Sequence, residues 1–116
     1  MGRLTTHVLD TAAGCPASGV GVALFRMRPE RKLIAEASTN ADGRLDSPLL
    51  GDAALASGVY ELVFQAGDYF RARHDDLPEP PFVDEVVIRF GIADANQHYH
   101  VPLLVSPWSY STYRGS

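Results

Sequence analysis

From Tyr99 to Leu103, the segment His98-Tyr99-His100-Val101-Pro102-Leu103-Leu104-Val105-Ser106 changes character at every residue. In an extended chain that alternation sends Tyr99, Val101 and Leu103 to one side and His98, His100 and Pro102 to the other. The first side is the more apolar and is the expected core face; the second carries two imidazoles. The same period recurs outward from this strand. Residues 4–10 (LTTHVLD), 19–27 (GVGVALFRM), 32–39, 59–65 (VYELVFQ), 83–90 and 110–114 read as six further strands. Turn chemistry separates them: Gly14-Cys15-Pro16, the charged run 28–31, and Asn40-Ala41-Asp42-Gly43 immediately before Arg44. Residues 67–74 (GDYFRARH) suit one short helix with Asp68 as its N-cap, and 52–57 suit a single helical turn ended by Gly58. Three prolines within 77–81 exclude regular structure there. About seven short strands with one minor helix predict an all-β fold, a two-sheet antiparallel β-sandwich.

Composition narrows the function classes. The 116 residues suit one domain spanning 1–116, able to bury roughly two-thirds of its unfolded surface. A net charge of −4 leaves no basic stripe to neutralise phosphates, which argues against nucleic-acid binding. No apolar run is long enough for a membrane span, and the polar start (MGRLTTH) lacks the apolar centre of a signal peptide, so a cytoplasmic setting is expected. Cys15 is the single cysteine, which excludes an intrachain disulfide and a cysteine-based zinc cluster. Basic character rests on nine Arg against the one Lys32, a bias that favours planar, bidentate contacts.

Three groups of residues are candidates for chemistry. His98 and His100 share a strand face. His7 lies opposite the apolar Leu4 and Val8 on the first strand. Arg44 follows a turn and has the fork geometry to bind an oxygen-rich planar substrate and stabilise developing negative charge. Three histidines admit a zinc reading as well as an acid–base one, although no HExxH-type spacing occurs. Neither a phosphate loop, a nucleophile elbow nor a paired-carboxylate pattern is present, so nucleophilic hydrolysis lacks support.

Specific motifs add to this. Residues 4–11 (LTTHVLDT), Asp42-Gly43-Arg44, Gly67-Asp68-Tyr69-Phe70, 98–104 (HYHVPLL) and the closing Tyr113-Arg114-Gly115-Ser116 resemble the transthyretin-related family, and within it the 5-hydroxyisourate hydrolases. The likeness runs nearly end to end. It implies a transthyretin-like sandwich assembled as a homotetramer, a dimer of dimers with sites in the channel between dimers. The small-molecule substrate would be 5-hydroxyisourate, an intermediate of urate degradation, with no cofactor and no metal. The catalytic set carried over is His7, Arg44, His100 and Ser116. His98, Tyr113, Arg114 and Gly115 join His7 and Arg44 in contacting substrate. Hormone-carrying transthyretins have Lys in place of His7, Thr in place of His100 and no YRGS ending, so the resemblance favours the enzyme over the carrier. One histidine would activate water for attack on a ring carbonyl while the other orients it or protonates the departing nitrogen; which does which stays open in the sequence.

Overall fold

Strands that are apolar on one face need a second layer to cover that face, and here two sheets cover each other. The computed structural model describes residues 2–51 and 54–115; Met1, Asp52, Ala53 and Ser116 lie outside the described residues. Among the described residues, one sheet contains β1 (Arg3–Asp10), β2 (Cys15–Pro16), β5 (Leu50–Gly51), β8 (Tyr99–Val105) and β9 (Tyr110–Thr112). Its order is β2-β1-β8-β9, with β5 paired to β1 at Arg3 and Leu4. The second sheet, in the order β4-β3-β6-β7, contains β3 (Gly21–Arg26), β4 (Lys32–Ser38), β6 (Gly58–Gln65) and β7 (Glu85–Ile92). Between them lie Leu4, Val8, Tyr99, Val101 and Leu103 from one side and Val22, Leu24, Tyr60, Leu62, Phe64, Val86 and Ile88 from the other, all buried. The alternation of β8 places Tyr99, Val101 and Leu103 in this core as expected.

One ladder departs from the antiparallel rule. β1 and β8 run parallel, pairing Leu4 with Tyr99 through to Asp10 with Val105. Periodicity reports which face a residue takes and carries nothing about strand direction, so this pairing was not readable from pattern. The two-residue strands β2 and β5 also escaped the sequence reading, being shorter than any period. The helical turn expected over 52–57 begins on Asp52 and Ala53, outside the described residues.

The helix needs correction. It spans Ala66–Arg71 rather than 67–74, and its N-cap position is Gln65, which makes no side-chain cap. β6 runs straight into α1, leaving no turn residue to act as cap. The Gly67 N–H is satisfied by the backbone carbonyl of Asp84 instead. Asp68 lies within the first turn and pairs with Arg71, whose guanidinium also reaches Glu79 and Asp84 and so ties down the proline-rich connection to β7.

α1 is also held by a buried polar contact. Tyr69 donates its hydroxyl to Asp10 Oδ2 at 2.8 Å, while Asp10 Oδ1 accepts the N–H groups of Ala12 and Ala13. The Arg73 guanidinium covers the Tyr69 ring at 3.8 Å. Burial, then the bond to Asp10, pushes the Tyr69 hydroxyl up to about 12 from the usual 10.0. A phenol whose folded pKa is raised contributes stability that is complete below pH 10 and lost as pH climbs towards 12. Tyr69→Phe is therefore expected to cost about 2 kcal/mol at neutral pH, as for a buried bond to a charged acceptor. It should also flatten the fall in melting temperature between pH 10 and 12. Thermal melts of both proteins across that range check this; parallel curves would refute it.

Candidate active site

On β1 the buried positions are Leu4, Thr6, Val8 and Asp10, leaving Thr5 and His7 on the outer face of the sheet. Arg44 reaches the same face because the 40–44 turn docks on β1. The Val8 N–H donates to the Gly43 carbonyl at 2.8 Å, and His7 and Arg44 form an isolated antiparallel bridge. Gly43 has φ +74°, and a Cβ there would collide with the Val8 carbonyl oxygen, so this docking requires glycine twice over. Asn40 shapes the turn: its Oδ1 accepts the N–H groups of Asp42 and Arg44, and its backbone N–H donates to the Arg44 carbonyl.

His100 arrives from β8, whose parallel register sets it beside Thr5. The Thr5 Oγ1 lies 2.9 Å from His100 Nδ1. On its other side stands the C-terminal tail. β9 pairs with β8 from Val105–Tyr110 to Leu103–Thr112, and the same register, continued three residues, meets again at His100–Gly115. Between them Pro102 has no N–H to offer, and its carbonyl is taken by the Thr112 hydroxyl at 2.6 Å. Gly115 donates its N–H to the His100 carbonyl at 2.7 Å and packs directly on the imidazole: a Cβ there would stand 2.9 Å from His100 Cδ2.

Burial, followed by the positive charge of Arg44 and then His7, pushes the His100 imidazole below its ordinary 6.5. The neutral imidazole is thus favoured, with Nδ1 facing Thr5 and, among the described residues, no hydrogen-bond partner on Nε2. His7 has the opposite arrangement. Its Nε2 lies 2.9 Å from the Asp42 carbonyl oxygen, and since a carbonyl only accepts, Nε2 carries a proton, which leaves Nδ1 as the nitrogen able to present a lone pair. Thr5, Thr6, Arg44 and Leu45 help to line a cavity of about 150 Å³ beside these groups. The arrangement sets an imidazole able to accept a proton and a guanidinium able to donate to an oxygen on one open face.

The structure therefore gathers His7, Arg44, His100 and Gly115. It does not gather the whole predicted set. His98 precedes β8, is exposed, and contributes its backbone carbonyl to Arg114 at 3.1 Å. The Arg114 guanidinium also contacts Gln97 Oε1 and lies over the Tyr99 ring at 4.5 Å, so its donors are directed to the 97–99 segment. Tyr113 is exposed and borders, with Tyr99 and Val101, a separate apolar cavity. Ser116 lies outside the described residues. Thr5 was missed; adjacency to His100 depends on the parallel register, for which the sequence holds no signal. Among the described residues, no three His, Cys, Asp or Glu side chains are grouped so as to hold a metal ion.

Comparison with known proteins bears on this arrangement. Residues 4–115 match the model of the HIUase/Transthyretin family. A curated Pseudomonas aeruginosa protein named 5-hydroxyisourate hydrolase is 62% identical over 117 aligned positions, covering 100% of this chain and 93% of its own. The solved structure of Klebsiella pneumoniae 5-hydroxyisourate hydrolase superposes with a TM-score of 0.80 at 38% identity, with both chains fully covered. Sea bream transthyretin in complex with thyroxine superposes with a TM-score of 0.87 at 26% identity, covering 97% of this chain and 94% of that one. The backbone is thus shared with a hydrolase and with a thyroxine-bound transthyretin, while the identity is higher towards the hydrolases.

Proposed function

The chain belongs to the HIUase/transthyretin family, and from that premise we propose that it hydrolyses 5-hydroxyisourate to 2-oxo-4-hydroxy-4-carboxy-5-ureidoimidazoline. The observation that carries this reading is the meeting of His7, Arg44 and His100 on one sheet face, with His100 held neutral by its surroundings. Fold by itself decides nothing, since a thyroxine-bound transthyretin shares it.

In this mechanism water lies against His100 Nε2 and attacks the ring carbonyl as its proton passes to that nitrogen. Arg44 donates to the carbonyl oxygen and stabilises the oxyanion as the tetrahedral intermediate forms. The ring C–N bond then breaks, and the proton held on His100 goes to the departing nitrogen, so one water is added across the cyclic amide. His7 keeps its Nε2–H on Asp42 and orients substrate through Nδ1. Gly115 holds the imidazole plane of His100. The other tail residues, Tyr113, Arg114 and Ser116, fix the tail or contact substrate, and His98 supports it through its carbonyl.

Such a site works best away from bulk water, and here it faces outward: Arg44 is exposed and His7 only half-buried. A second copy covering this face would provide the seclusion, and we assign the working form as a homotetramer, a dimer of dimers with the sites between dimers.

The test is to generate 5-hydroxyisourate in situ and follow its ultraviolet decay with purified protein and chelator present. Decay well above the spontaneous rate is the expected result. Decay at the spontaneous rate would overturn the hydrolase reading and leave a carrier or scaffold on the same sandwich.

A further inference from the structure

We propose that Thr5 is the positioning residue that makes His100 a base at Nε2, by accepting the Nδ1–H of its imidazole. This deepens the reading above and rests on it. Neutral imidazole carries one proton, and whichever nitrogen holds it cannot accept another. For Nε2 to take a proton from water, the resident proton must sit on Nδ1, and Nδ1 faces the Thr5 hydroxyl at 2.9 Å.

Three observations support the assignment. Thr5 stands in direct register with His100 in a parallel ladder that continues on both sides, so its Oγ1 is held by backbone geometry. Its inward neighbour Thr6 spends its hydroxyl on the Val101 carbonyl at 2.7 Å, so two adjacent threonines clasp β8 from opposite faces, one at the backbone and one at the imidazole. The two histidines, moreover, are held by different kinds of partner. The carbonyl facing His7 fixes one tautomer permanently. In the proposed arrangement the Thr5 hydroxyl accepts from Nδ1–H while His100 is neutral and keeps accepting after Nε2 has gained its proton. It thereby stabilises the imidazolium without locking it, as a residue that must return the proton within the same turnover requires. Among the described residues, the charged and titratable groups acting on His100 are Arg44 from the 40–44 turn and His7 from β1. Both oppose protonation, so the Thr5 acceptor is the counterweight on that side of the ring. Of the described tail residues, Gly115 contributes its backbone, and Arg114 is engaged on Tyr99 and Gln97.

The experiment compares wild type, Thr5→Val and Thr5→Ser. Valine preserves shape and strand propensity and removes only the acceptor. Thr5→Val is expected to lower kcat by about 10- to 100-fold with KM changed less than about twofold, as for loss of a partner that orients a working histidine. The acid limb of its pH–rate profile should move to lower pH, because the imidazolium has lost a stabilising acceptor. Thr5→Ser should restore kcat to within about threefold and return the limb to its place. An NMR titration of the His100 imidazole supplies a readout independent of turnover, with the same downward displacement in Thr5→Val. Wild-type kcat in Thr5→Val, an unmoved limb and titration, or a serine variant as impaired as valine would each overturn the proposal. Failure of the hydrolase reading is distinguishable, since wild type itself would then be inactive on 5-hydroxyisourate.

Discussion

Exchanging His100 for Asn is expected to reduce kcat on 5-hydroxyisourate by about 10²- to 10⁴-fold, the range spanned by loss of a general base. Asn fills a similar volume and can still hydrogen-bond Thr5 and sit under Gly115, so the loss would report proton transfer more than packing. The pH dependence of the wild type sharpens the prediction. Burial, Arg44 and His7 hold His100 below its ordinary value. Only the neutral imidazole accepts a proton, so the rate should fall on the acid side, with its midpoint below the free-imidazole value of about 6.5. His100→Asn should lose that limb along with the rate. Retention of more than about a tenth of kcat, or an unchanged acid limb, would remove His100 from the proton path.

Arg44→Gln carries the second large effect, a loss in kcat/KM of about 10²- to 10³-fold, as when one oxyanion donor is removed. Its secondary consequence has a fixed sign. Arg44 is one of the causes that depress His100, so its neutralisation should let the imidazole rise towards 6.5 and shift the acid limb to higher pH. Arg44→Lys keeps the charge and gives up the fork. It should therefore hold the limb where the wild type has it while recovering only part of the rate. The pair separates the two roles of one guanidinium by pH–rate profiles alone. Coincident limbs in wild type and Arg44→Gln would mean that Arg44 exerts no field on the base.

Much of this site was legible in the sequence, unevenly. Alternation in 4–10 and 98–106 set His7 and His100 on outward faces, and Asn40-Ala41-Asp42-Gly43 announced a tight turn ahead of Arg44. That the three converge was carried by motif resemblance, because convergence depends on β1 and β8 being neighbours. Strand order and direction are properties of the whole chain and leave no local period. Thr5 escaped for the same reason: in LTTHVLD it is one of two threonines, and nothing local tells the one facing an imidazole from the one facing a carbonyl. The helix limits failed on a different ground. Asp68 has the chemistry of a cap, but β6 delivers the chain already positioned to begin helix, and the Asp84 carbonyl from the connection before β7 takes the Gly67 N–H.

The parallel β1–β8 ladder also dictates the order in which the molecule can mature. β1 belongs to the first ten residues and β8 to the last twenty, and contacts of such high sequence separation are the slowest to form because the whole intervening loop must close first. As the polypeptide emerges from the ribosome, β3 finds β4 close behind it, and β6 finds β7 once α1 and its connection have followed. Among the described residues β1 first meets β2, β5 and the 40–44 turn, and its other edge stays unpaired until β8 has been made. His7 and Arg44 can meet early through the 40–44 turn, but His100 joins them only when that edge is filled. A chain that stops short of β8 therefore retains an open strand edge and lacks His100 beside His7 and Arg44.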